Sequence, residues 1–234
     1  MIQLLTIHWS DLLSPEFYIQ NGGFFLILFI VFAETGLFAG FFLPGDSLLF
    51  VAGIYSHDIV KEVFPVVENE YAALFILLVF ISFAGVLGNT VGYWFGLKTG
   101  PFLFHRKDTF FFRKKYLYQA KEFYDKRGGS AIVYARFLPI IRTFAPIIAG
   151  IVQMDKKKFA LYNIAGSIAW VFAMLFAGHF LTTFFKNQFG FDLKQHLEAI
   201  VIGIVLVTTL PVIFKIVFGK VKTYQQNHPH HKKD

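Results

Sequence analysis

The stretch that most constrains this chain is ETGLFAGFFLPGDSLLF, residues 34–50, which sets two carboxylates, Glu34 and Asp46, inside an apolar run over residues 24–55. At bilayer depth a carboxylate costs about 2.5–3.5 kcal/mol on insertion scales, so two in one run demand partners or a cavity. Between them, Leu43-Pro44-Gly45 interrupts a helix, because proline lacks an amide donor and glycine admits positive φ. The run holds 32 residues. That is too long for one span of about 20 residues and too short for two with a turn. The expected form is a re-entrant helical hairpin over 24–56, hinged at Pro44 and Gly45, with its irregular backbone buried in protein or lining a wet cavity. A single tilted, kinked helix with Asp46 capping the segment after the turn is the competing reading.

Of the 234 residues, 56% are hydrophobic and 16% charged, and phenylalanine alone supplies 32. Soluble domains carry nearer ~25% charged residues, so the chain reads as an all-α integral membrane protein. One polytopic membrane domain over 1–234 leaves no room for a separate soluble enzyme. Residues 1–23 lack the basic start of a signal peptide and read as an interfacial segment. The absence of cysteine excludes disulfides and thiol chemistry. A net charge of +7 would suggest nucleic acid in a soluble protein. Here it lies beside apolar spans, where it sets orientation and meets anionic lipid; no nucleic-acid partner is expected.

A polar link at 57–70 precedes an expected transmembrane helix over 71–97. Gly88, Gly92, Gly96 and Gly100 recur every fourth residue there, forming one face that another helix can approach closely. Asn89, beside that stripe, is expected to hydrogen-bond between helices. Residues 98–129 form a cytoplasmic amphipathic segment rich in Lys, Arg and aromatics. A second broken run, 130–152, carries Arg136 and Arg142 with hinges at Pro139 and Pro146, so it mirrors the first in kind and opposes it in sign. Further transmembrane helices are expected at 159–185 and 197–218. The cytoplasmic His/Lys tail, 219–234, is read as solvated, and no metal or cofactor is expected.

By the positive-inside rule the basic stretches 98–129, 156–158 and the C-terminus face the cytoplasm, and 1–23, 57–70 and 186–196 lie outside. This is consistent only if each broken run returns to the side it came from. Hairpin plus transmembrane helix then occurs twice in opposite orientation, with an additional C-terminal transmembrane helix. Such inverted repeats are built by transporters whose sites lie near the midplane.

Two acids from one repeat and two arginines from the other can converge at the centre, where buried charges pair or face a cavity. Guanidinium forks match phosphate oxygens and stay protonated, which makes Arg136 and Arg142 candidate phosphate ligands. Two structural salt bridges without a substrate are the bland alternative. Glu34, among Phe32, Leu37 and Phe38, is the expected proton carrier. Asp46, which follows the turn and precedes Ser47, is expected to organise the hairpin or balance an arginine. No catalytic residues are assigned: there is no H-E-x-x-H motif or P-loop, and the lone His179 reads as an interface residue.

E-x11-D with F-L-P-G-D-S, G-N-T-x-G-Y-W-F-G at 88–96, and R-F-x-P-x-x-R-T at 136–143 followed by A-G together resemble the DedA family of bacterial membrane proteins. That family shares its core, the VTT domain, with eukaryotic lipid scramblases, and the likeness runs over residues 24–181. The resemblance implies paired re-entrant hairpins and the movement of lipid phosphates, undecaprenyl phosphate recycling above all, with dependence on the proton-motive force. By position, Glu34 and Asp46 match the family's essential acids, and Arg136 and Arg142 its essential arginines. The expected protein is an inner-membrane lipid-phosphate translocase, a flippase and not an enzyme. Its expected partners are membrane lipids, a polyprenyl phosphate headgroup and protons; a homo-oligomer is left open. A proton-coupled transporter of small ions or cationic solutes and a phospholipid scramblase are the alternatives, with a lipid phosphatase or transferase a further class.

Overall fold

Long apolar runs must satisfy their backbone internally, and every element among the described residues is an α-helix. The computed structural model describes residues 23–37, 45–105, 114–137, 139–190 and 203. Residues 1–22 of the expected interfacial segment, Pro44, residues 106–113 of the basic segment, all but Gly203 of the expected helix 197–218, and the tail 219–234 lie outside them. Among the described residues eight helices follow in order: α1 (Gly23–Gly36), α2 (Gly45–Ile54), α3 (Ser56–Val63), α4 (Glu70–His105), α5 (Lys114–Arg127), α6 (Ser130–Arg136), α7 (Pro139–Ile151) and α8 (Lys156–Phe189).

Two of them, α4 and α8, are long and apolar enough to cross a membrane. Both outrun the expected bounds 71–97 and 159–185. Lys98 does not end α4, because its ammonium folds back 3.8 Å from the Trp94 ring centroid, one turn earlier, and keeps its stem on the helix surface. The start of α8 is fixed by Asp155, whose carboxylate accepts the Lys158 amide at 2.9 Å. Its end is fixed by Gly190, which turns into the left-handed region at φ +63°. The link at 57–70 contains a helix the sequence reading left out: α3 buries Ile59 and Val60 and turns Asp58 and Lys61 outward.

Of the expected hinges, Gly45 and Pro139 each open the helix after an interruption, and Pro146 does not. α1 ends at Gly36, where Leu37 closes the last turn on the Ala33 carbonyl at 2.8 Å, well ahead of Pro44. α2 begins at Gly45. In the second run α6 ends at Arg136 and Pro139 opens α7, a first-turn position where its missing amide costs nothing. Pro146 is not a hinge. It sits inside α7, which runs on to Ile151; the local cost is a next-turn amide withheld from the Arg142 carbonyl.

The packing exchanges the halves of the two runs. α1 and α7 lie against α4, α2 and α6 lie against α8, and α4 packs on α8. Small residues set how closely. Gly36 meets Gly88, Gly96 faces the Ile147 carbonyl, Gly100 the Ile151 carbonyl, and Gly150 the Tyr93 carbonyl. Across the molecule Gly53 of α2 meets the Leu175 carbonyl and Gly178 of α8 the Phe50 carbonyl. Around these contacts Phe24, Ile27, Val31, Leu49, Leu77, Ile81, Trp170 and Leu175 fill one core.

The glycine stripe is therefore not uniform, and substitution should show it. A Cβ on Gly96 would overlap the Ile147 backbone, whereas one on Gly92 finds only ordinary contacts from 3.5 Å outward. Gly96→Ala should cost about 1–3 kcal/mol by overpacking, read as a lowered Tm of the purified protein. Gly92→Ala, one turn away on the same face, should melt with the wild type.

Candidate functional site

All four charges singled out from the sequence sit at helix ends beside the two interruptions. Glu34 lies in the last turn of α1, Asp46 in the first turn of α2, Arg136 closes α6, and Arg142 falls in the first turn of α7. A helix N-terminus favours an anion and a C-terminus a cation, each by about 0.3–1 kcal/mol and up to ~2 kcal/mol when partly buried. Asp46 and Arg136 are placed with that field. Glu34 and Arg142 are placed against it.

Those two pair with each other. The Arg142 guanidinium donates through Nη2 to Glu34 Oε1 and through Nη1 to Asp46 Oδ1, so one arginine holds both carboxylates. Glu34 and Arg142 are buried, at 3% and 7% exposure. Trp170 of α8 completes the clasp: its indole Nε1 donates to Asp46 Oδ1 at 2.9 Å, and its ring face lies 4.9 Å from Arg142 Cζ. Glu34 owes its burial to Gly45 and Arg142 rather than to Leu37, which is exposed. Gly45 is required less as a hinge than as space, since any Cβ there would collide with Glu34 Oε2. Glu34 Oε2 and Arg142 Nε have no hydrogen-bond partner among the described residues.

Arg136 is treated differently. It is 3% exposed and forms no ion pair among the described residues. Its Nη2 donates to Asn163 Oδ1 at 2.9 Å and Ser167 Oγ at 2.5 Å, both on α8. Asn89 of α4 lies 2.8 Å from Asn163; with its amide oxygen turned to Arg136, its nitrogen reaches the Thr35 carbonyl at 3.2 Å. Arg136 Nε is unpartnered, and its Cζ stands 5.8 Å from the same Trp170 ring that backs Arg142. Two buried guanidiniums thus flank one indole.

A family model, the VTT domain, matches residues 43–180, a stretch that contains Asp46, Arg136, Arg142 and Trp170 but begins after Glu34. Over 195 residues the chain is 36% identical to Protein DedA of Escherichia coli K12, covering 83% of this chain and 82% of that protein. It is 34% identical over 207 residues to an uncharacterized membrane protein of Mycobacterium leprae, covering 86% and 85%. Inner membrane protein YghB of Escherichia coli K12 matches at 30% over 161 residues, 68% of each chain. No solved structure matches. The chain belongs to the DedA family.

Within this DedA-family membrane protein, four polar residues around the charges escaped the sequence reading in their present role. Asn163, Ser167 and Trp170 fall at i, i+4 and i+7 of α8 and so share one face, a polar stripe in an otherwise apolar helix that could have been found by periodicity. Asn89 does make its interhelical contact, and in addition reaches the arginine. Pro139 and Gly45 border the site; Pro146 is buried one turn beyond Arg142, and Pro44 lies outside the described residues. Within the basic segment, α5 joins the site's scaffold where the buried Tyr124 hydroxyl donates to the Ala145 carbonyl of α7 at 2.9 Å.

Gly45→Ala should displace the Glu34 carboxylate without altering a charge. The expected result is a folded protein that loses function in cells as completely as Glu34→Ala does, checked by complementation beside membrane abundance. Trp170→Phe keeps the ring behind Arg142 and removes the indole donor to Asp46; it should retain partial function, with a Tm lowered by the loss of about 1.5–3 kcal/mol for a hydrogen bond to a charged group.

Proposed function

We propose that this DedA-family protein moves a lipid phosphate headgroup across the bacterial inner membrane, undecaprenyl phosphate being the leading substrate, in a proton-dependent manner and without covalent chemistry. The observation that carries the reading is the pair of buried guanidiniums against Trp170, each with an unpartnered Nε. Forked donors in a water-poor site are built for phosphate oxygens. The acids beside them supply sites for a proton.

The exchanged packing of the broken runs supports an inverted repeat. Under a two-fold relation that swaps α4 with α8, α1 with α6 and α2 with α7, the contact of α1 on α4 becomes α6 on α8, and α2 on α8 becomes α7 on α4. Both contacts exist. The first hairpin then enters from outside and the second from the cytoplasm, placing the four charges where the half-helices meet. That topology predicts labelling of single cysteines, introduced into this cysteine-free chain, at the exposed positions 66 and 190 from outside and 157 from the cytoplasm. Position 60 is no reporter, because Val60 is buried. Reaction at 157 from outside would dismantle the second hairpin and the repeat with it.

Transport is tested in vesicles reconstituted with defined lipid phosphates, with and without an imposed pH gradient. Arg136→Lys and Arg142→Lys keep the charge but lose the planar fork, and flipping should fall by at least about tenfold in protein that remains inserted. Glu34→Gln should exchange lipid while ignoring the gradient; Asp46→Asn should be slower under all conditions. Inhibition by short-chain polyprenyl phosphates separates this reading from a carrier of cationic solutes. A wild type that ignores the gradient is a passive scramblase.

A further inference from the structure

The two arginines are not equivalent, and the difference lies in their charge partners. Arg142 faces Glu34 from α1 and Asp46 from α2, and Trp170 from α8 brings no charge. Arg136 faces Asn163 and Ser167 from α8 and Asn89 from α4, all neutral. Two carboxylates against two guanidiniums leave the empty site neutral as a whole, yet divided: the Arg142 clasp carries a surplus negative charge and Arg136 a surplus positive one. An anion drawn to Arg136 makes the buried site net negative, a state that burial penalises heavily. Glu34 Oε2, buried beside Gly45 and outside the Arg142 contact on Oε1, is an acceptor able to relieve it.

We propose that Arg136 alone receives the phosphate ester, and that its binding is linked to the addition of one proton to Glu34 Oε2, which loosens the hold of the acids on Arg142. The proposal rests on the reading of the site as a phosphate site and divides its labour. Arg142 is then the latch and Arg136 the receptor. The proton comes from bulk water and returns to it when the ester leaves. No other titratable group faces either arginine among the described residues, α4 contributing only Asn89.

The probe is farnesyl monophosphate, titrated calorimetrically into the purified full-length protein in detergent at pH 7.5, in two buffers of different ionisation enthalpy. The ester's second ionisation lies near pH ~6, so at pH 7.5 the ligand is chiefly dianionic and contributes little to the proton count. Wild type should take up about one proton per ester bound. Glu34→Gln should take up none, and its affinity should not change between pH 7.5 and 9. Asn163→Asp hands Arg136 the carboxylate it lacks; it should melt at or above wild type and bind more than about tenfold more weakly. Ser167→Asp reaches the same guanidinium from the next turn and serves if Asn163→Asp does not fold. Binding by wild type without proton uptake, or uptake that survives Glu34→Gln, overturns the linkage. An aspartate variant that binds as tightly as wild type overturns the assignment to Arg136. Failure of wild type to bind at all removes the phosphate reading beneath both.

Discussion

The site is organised by one buried ion triad. Arg142 of α7 holds Glu34 of α1 and Asp46 of α2, with Trp170 of α8 hydrogen-bonded beneath. Four helices meet through those side chains, and the sequence separations are large. Triads of this kind are poor stabilisers, since desolvation consumes most of the Coulombic gain, but removing one partner strands the others at about 3–5 kcal/mol. The triad therefore fixes the position of the half-helix ends more than it holds the fold together. A group whose pairing is nearly balanced against its desolvation is also one that a proton can shift.

That meeting is possible only because backbones touch elsewhere. In an apolar solvent there is no hydrophobic drive between helices, so association relies on close van der Waals contact at small residues. Gly36 on Gly88, Gly96 and Gly150 between α4 and α7, and Gly53 and Gly178 between α2 and α8 supply it on both sides. Each long helix thereby grips one half of each broken run. Had either run packed wholly on one long helix, its charges would lie on a single side and Arg142 could not span two acids.

The sequence made the charges, the interruptions and the glycine face legible because each breaks a strong apolar pattern. Glu34, Asp46, Arg136 and Arg142 stand out against their neighbours for that reason, and the structure brings all four to one place. What was not legible was the division between the arginines. It depends on Asn163, Ser167 and Trp170, which α8 presents from a long separation, and amides and hydroxyls in a span read locally as helix glue. Pro146 misled in the other direction: proline signals a break in isolation, yet α7 runs straight through it. The early end of α1 was equally hidden, since Gly36 lies well ahead of the Pro44-Gly45 signal.

Helix-end fields explain why these four charges sit where they do. Asp46 at the start of α2 and Arg136 at the end of α6 are each favoured by their own helix. Glu34 at the end of α1 and Arg142 at the start of α7 are each opposed, and only their mutual contact offsets it. Loss of charge at Asp46 forfeits a favourable helix-end interaction, whereas loss of charge at Glu34 relieves an unfavourable one and the clasp's surplus together. The two acids share one arginine but not one role. The same asymmetry leaves Arg136 buried and free of carboxylates among the described residues, with its Nε unpartnered.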